Sequence, residues 1–515
     1  MNNKTYYKWG VALVACSLIF ATACTDLEEE PFGSISAEQF GNTDEEFSAV
    51  LVGGYTTLFG TLGNHNSYWS LQEVSSDEVV IPTRGADWGD GGQWTRTHMH
   101  EYLDSEQSIN NAWVKMYSSI ATCNQLLAQL PILNEDAAGP FLAELRTLRA
   151  LNYFYLVDMY GNVPIIKDFL STEPPSTSPR SEVYAFIVAE LEEVIPLLPE
   201  ERTYARVTRP VAQALLAKVY LNAEVYSGTA QYDKVGPLCD AIMNTQFYDL
   251  EGDYFTNFNE QNQGSIENIF AIPYDELLGT GFNLGQMTLH YGSQGTFNCQ
   301  AQPWNGYASL QEFYESYEAE DKRRGVPGDQ GIRGNFLAGA QFEADGTTPV
   351  IDPTADDPGG PELVFTPELN ELLPGAYRQA GARIAKFEFA NGFLPELSND
   401  FPIFRYADVL MMKAEAITRI SGENNQDAMD LVDLVRARAY GSDHTPLTSL
   451  SLDDLLAERG REFFAEGYRR QDLIRFGKYN DAWWEKPASD PSKNIMPIPA
   501  PQIQANPNLV QNPGY

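Results

Sequence analysis

The chain has 515 residues, with 34 Lys and Arg against 71 Asp and Glu, for a net charge of −37. A surface of that sign repels nucleic acid and anionic lipid and suits an uncharged ligand. Hydrophobic residues, 43% of the total, are interspersed with the acids, which excludes a disordered polyelectrolyte.

Residues 1–23 read as a leader: Lys4 and Lys8, an apolar stretch over 9–20, then Ala21, Thr22 and Ala23. The stretch is too short for a stable membrane span. Cys24 follows, ahead of the polar run TDLEEEP. Small residues directly before a cysteine resemble a bacterial lipobox, which implies that Cys24 carries a lipid and begins the mature chain. Ala21 stands where a lipobox usually has leucine. Cys16, in LVAC, fits that preference better but would leave a very short apolar region. The other cysteines, Cys123, Cys239 and Cys299, form neither a disulfide framework nor a zinc spacing.

Residues 84–100, RGADWGDGGQWTRTHMH, place Trp88 and Trp94 among four glycines with no apolar run to cover either ring. A helix is predicted over 141–164, where Leu145, Leu148, Tyr155, Leu156 and Met159 share a stripe and Gly161 and Pro164 stop it. A second is predicted over 181–199. A third, over 209–226, has Pro210 in its first turn and Ala212, Ala214 and Ala217 for close helix crossings. NIFAIPY (268–274) and PELVFTP (361–367) read as short strands. Loops are expected at 84–93, 290–307 and 325–361. Further helices are predicted over 404–420 and 452–477, the last with Glu466 pairing Arg469 and Arg470 across one turn. Arg405 and Glu415 read as buried charges needing partners. The fold class expected is mainly α, in tetratricopeptide-like helix pairs with loop-rich, partly irregular insertions and a few short strands.

Five blocks then carry a family resemblance: LRTLRALNYFYLVDMYGNVPII (145–166), RVTRPVAQALLAKVYLNAEVY (206–226), FPIFRYADVLMMKAEAITR (401–419), ERGREFFAEGYRRQDLIRFGKY (458–479) and NIMPIPAPQIQANPNLVQNPGY (494–515). With Cys24 they span the mature chain in order, and the chain resembles the SusD/RagB family of Bacteroidetes outer-membrane lipoproteins. The resemblance implies a single SusD-like domain over 24–515, with ligand-face loops near 60–100 and 285–380. It implies a lipid-anchored, cell-surface protein that captures glycan and delivers it to a SusC-like TonB-dependent transporter. The alternative it leaves open is a peptide- or other nutrient-handling subunit of such an uptake complex.

A sugar ring presents a C–H face that a flat aromatic ring covers and an edge of hydroxyls that amides and carboxylates bond. The candidate ligand residues are Trp88, Trp94, Asp87 and Asn66 from the first loop region. Tyr291, Asn298, Cys299, Trp304, Tyr307 and Arg378 come from the second. Asp90, Gln93 and Gln300 are further polar edges. Trp94 has an equal claim to be core. No GxSxG, HExxH or phosphate loop occurs, and no enzyme activity, metal or cofactor is expected. His98 and His100, one residue apart, read as solvated loop histidines.

Overall fold

Each long helix buries its apolar stripe against a helix close by in the chain. The computed structural model describes residues 43–133, 138–328 and 334–515; the expected leader and Cys24 lie outside the described residues. The Gln107–Leu133 helix packs on Gly139–Met159, and Arg180–Val194 packs on Arg209–Leu221. Val235–Thr245 packs on Arg209–Leu221 and also on the distant Tyr406–Ser421, which packs in turn on Gln426–Tyr440. Gly139–Met159 also meets Arg180–Val194, so the pairs stack into one scaffold of tetratricopeptide-like form. The insertion over 246–405 separates Val235–Thr245 from Tyr406–Ser421 and carries most of the loops. It is tied down by short strand pairs, Asn268–Ile272 with Phe401–Arg405 among them.

The Gly139–Met159 helix is buried almost all round from Phe141 onward, as its wide apolar surface predicts. It ends at Tyr160; Gly161 follows at φ +68°, where a Cβ would also come within 3.2 Å of Ile495. The helix predicted over 209–226 divides at Asn222, whose side chain donates back to the Lys218 carbonyl at 2.9 Å. That predicted over 452–477 divides into Leu452–Phe463 and Arg469–Arg475, because Ala465 and Gly467 take positive φ. Strands appear at Asn268–Ile272 and Val364–Phe365, within the segments predicted. The expected 325–361 loop also contains Phe336–Leu337, which pairs with Arg383–Ile384.

Charge is buried at the heart of the scaffold. Arg405, 1% exposed, ends its strand rather than lying in the helix. It bonds Glu267 (2.5 Å), Glu462 (2.9 Å) and Glu466 (2.6 Å). Arg438 joins Glu267 and Glu462, and Lys386 joins Glu466. Glu466 is therefore taken, and the expected one-turn pairs do not form. Arg469 instead meets Asp77 (2.6 Å), and Arg470 meets Asp158 (2.9 Å). Glu415 holds Arg475 and Arg419.

Beside this network, Glu73 is fully buried and accepts the Gly467 N–H at 2.6 Å. Burial pushes its carboxyl up to about 7, and burial together with Glu73 raises Glu78. The folded chain thus holds a proton on Glu73 that the unfolded chain has lost above its ordinary value of 4.5. The resulting stability is complete below that value and is lost as pH rises through 7. Histidines act in the opposite sense. Burial holds His65 and His98 down to about 4, so their contribution is complete above 6.5 and is lost as pH falls toward 4. The melting temperature should therefore fall on both sides of mildly acidic pH. Glu73→Gln, which keeps an acceptor for Gly467, should flatten the upper limb only, recovering at most about 3 kcal/mol above neutrality. Thermal unfolding of both proteins across pH 4–9 measures this.

Candidate functional site

Loop segments 84–92, 288–307, 351–354 and 375–381 converge, and two buried arginines fasten all but the 351–354 segment. Arg84 donates to the carbonyls of Asn305 (3.1 Å), Ala380 (2.8 Å) and Tyr377. Arg383 donates to Asn305 Oδ1 (2.7 Å) and the Arg378 carbonyl (2.8 Å). Burial lowers both guanidinium groups, Arg84 to about 10.

One chamber of the resulting groove is aromatic, about 510 Å³, lined by His65, Trp88, Asp90, Pro303 and Trp304 with Asp87, Tyr291 and Gln302. Trp88 sits at φ +59° and donates its indole N–H to the Trp304 carbonyl at 2.6 Å. Its ring lies over Gly306, where a Cβ would come within 2.3 Å of it. Tyr307 and His65 meet it edge-on, with centroids 5.6 and 5.2 Å away. Trp304 is 39% exposed. Asp90 accepts the Trp94 indole N–H at 2.8 Å, which fixes the carboxylate at the chamber's rim.

A second chamber, about 480 Å³, shares Asp87, Tyr291 and Gln302 and adds His290, Ile351, Asp352, Thr354 and Arg378. Tyr291 donates its hydroxyl to Asp87; burial and that bond push the phenol up to about 12. The Arg378 guanidinium stands 5.4 Å over the Tyr291 ring, donates to Thr354 and lies 3.6 Å from Asp352. Burial and the nearby Arg383 hold His290 down to about 3, so it is neutral.

Of the residues expected at the ligand face, Trp88, Asp87, Tyr291, Trp304 and Arg378 line the groove. Others do not, and the expectation is corrected for each. Trp94 is 1% exposed beneath Asp90, and Tyr307 is fully buried with its hydroxyl 2.8 Å from Ser70, so neither ring has a free face. Cys299 is buried, its thiol toward the Ala301 carbonyl. Asn298 is exposed but bonds Asn391 outside the lining. Asn66 also lies outside it, a positive-φ residue whose backbone bonds Ser70 and Asn111. Gln93 is buried, and exposed Gln300 is off the groove. His98 and His100 are not solvated: they are packed against the 483–489 segment, bonding the Trp484 carbonyl and Ser489. His65, His290, Gln302, Asp352 and Thr354 were not singled out by the sequence; only His65 had a signal, as the neighbour of Asn66.

A model of the SusD family matches residues 396–515, and one described as starch-binding, associating with the outer membrane, matches 54–221. The chain belongs to the SusD family. The SusD-like protein P2 of Formosa agariphila is 26% identical, over 97% of this chain and 98% of its own. The starch-binding protein SusD of Bacteroides thetaiotaomicron is 25% identical, over 98% of both. Among solved SusD folds, a SusD superfamily protein of Parabacteroides distasonis superposes with a TM-score of 0.72 at 22% identity, covering 92% of this chain and 99% of that one. Surface glycan-binding protein A of Bacteroides thetaiotaomicron, in complex with laminarihexaose, gives 0.71 at 24%, covering 91% and 99%. Among the described residues no helix is long and apolar enough to cross a membrane.

The corrected placement of Trp94 is directly measurable. Trp94→Ala should cost about 3–5 kcal/mol of stability, as for a core tryptophan, and lower the melting temperature sharply. Trp304→Ala should leave the melting curve unchanged.

Proposed function

We propose that this SusD-family chain is a cell-surface glycan-binding lipoprotein of the outer membrane. Anchored through Cys24, it captures oligo- or polysaccharide and hands it to a SusC-like TonB-dependent transporter. The observation that carries this reading is the aromatic chamber, where Trp88 and Trp304 stand beside the fixed acceptors Asp87 and Asp90. Rings cover sugar C–H faces, and immobilised polar edges bond hydroxyls at little entropic cost. The relatives named above for starch and laminarihexaose support the same ligand class.

The Asp352 carboxyl suits recognition rather than general-acid catalysis. A glycosidase acid needs a raised pKa. Burial would raise Asp352, but hydrogen bonds from Thr354 outweigh it and hold the carboxyl below its usual range.

Native gels cast with starch, laminarin, xylan and fructan test the function. At least one polysaccharide should retard the protein, and Trp304→Ala should weaken that binding roughly tenfold to a hundredfold, the worth of about 1–3 kcal/mol of stacking. Retardation by none of them would count against glycan capture and favour a peptide ligand. Anchoring is tested separately. Cys24→Ala should release the protein from outer-membrane fractions, and retention with unchanged mobility would move the anchor elsewhere, Cys16 first.

A further inference from the structure

The second chamber is nearly as large as the aromatic one but differs in chemistry, and it is built rather than incidental. Arg378 is held in one orientation by three contacts: the Tyr291 ring beneath it, the Thr354 hydroxyl and Asp352. Asp352 is itself pinned by the Thr354 N–H at 2.9 Å and the Thr354 hydroxyl at 2.6 Å. Behind them His290 is 1% exposed, its Nδ1 accepting the Gly292 N–H at 3.0 Å. That bond places the ring's proton on Nε2. The chamber's lip is apolar: Ile351 is 51% exposed. A donor fork, a fixed acceptor at Asp87 and an apolar lip are the complement of one more sugar ring.

The charges select among sugars. Arg378, half-buried, is the cation in the chamber's lining, and Asp352 lies beside it. Asp87 stands in the wall common to both chambers, with one oxygen engaged by Tyr291. Asp90 adds a carboxylate at the aromatic end. An anionic unit placed across that wall meets more negative than positive charge, in a chain of net charge −37.

Resting on the glycan-binding reading above, we infer that the Arg378 chamber is a second sugar subsite. It takes an uncharged unit of the same oligosaccharide whose neighbouring unit stacks on Trp88 and Trp304. The ligand is then a neutral glycan long enough to fill both chambers, and Arg378 and Ile351 determine recognition only of that longer ligand.

Calorimetry with neutral hexasaccharides of β-1,3-glucan, α-1,4-glucan, xylan and fructan, and the matching disaccharides, tests this. Against the hexasaccharide that wild type binds, Arg378→Gln and Ile351→Ser should each weaken binding roughly three- to tenfold. Disaccharide affinity should stay within about twofold for both, whereas Trp304→Ala should weaken both lengths. Ile351 is exposed, so its replacement keeps the test open if Arg378→Gln fails to fold. A hexagalacturonide should not compete. Unchanged hexasaccharide affinity in a folded variant, equal losses at both lengths, or a hexagalacturonide bound as tightly as the neutral chain would each overturn the second subsite alone. Wild type binding no neutral oligosaccharide would overturn the glycan reading itself, and the subsite with it.

Discussion

Arg405 is the point on which the rest of the structure turns. Its guanidinium, almost wholly out of water, joins Glu267 from the strand-bearing insertion, Glu462 from the end of a scaffold helix and Glu466 from the turn beyond it. Taking such charges out of water costs several kcal/mol each, and their attraction balances this only when geometry is good on every side. Lys386 and Arg438 complete the set, so each carboxylate has more than one cation. A network of that kind tolerates one arrangement. It makes the insertion over 246–405, which has little regular structure of its own, register on the helical stack in a single way.

From that centre the order passes to the groove by short steps. The turn that presents Glu466 also presents the Gly467 N–H to Glu73 and the Ala465 carbonyl to the Trp69 indole. Trp69 packs on Tyr307, and Tyr307 supports the edge of Trp88. The ligand-facing ring is thus the last member of a packed series that starts at buried charge. Arg84 and Arg383 complete the design from the other side, each satisfying several loop carbonyls at once. Loops held this way lose little entropy when a ligand arrives, which favours binding of a weakly interacting, highly hydrated sugar.

The helices that were predicted were legible because an apolar stripe declares itself within one element; Gly139–Met159 and its stop at Gly161 are the clearest case, whereas Gln107–Leu133, Val235–Thr245 and Gln426–Tyr440 were not singled out. The short strands at 268–272 and 364–365 were legible from β-branched and aromatic runs, though not their pairing. What failed to show were partners distant in sequence. Glu466 offers Arg469 and Arg470 across one helical turn, yet its cations are 61 and 80 residues away. His98 and Trp94 stand in a glycine-rich, polar stretch that looks solvated; what covers His98 comes from near residue 484 and what adjoins Trp94 from Tyr307. In the groove, aromatic spacing found Trp88, Trp304 and Tyr291, and a loop guanidinium found Arg378. Gln302, His290, Asp352 and Thr354 carry no local pattern and belong to the groove only because loops distant in sequence meet there.

The central claim is that buried charge and packed rings hold the groove ready for its ligand before the ligand comes. A crystal structure of the protein with a bound oligosaccharide, compared with the ligand-free crystal, tests it most directly. A sugar ring should lie against Trp304 and Trp88, with Cα atoms of the groove loops displaced by less than about 1 Å. A ligand seated elsewhere, or loops that close over it by several ångströms, would contradict the account.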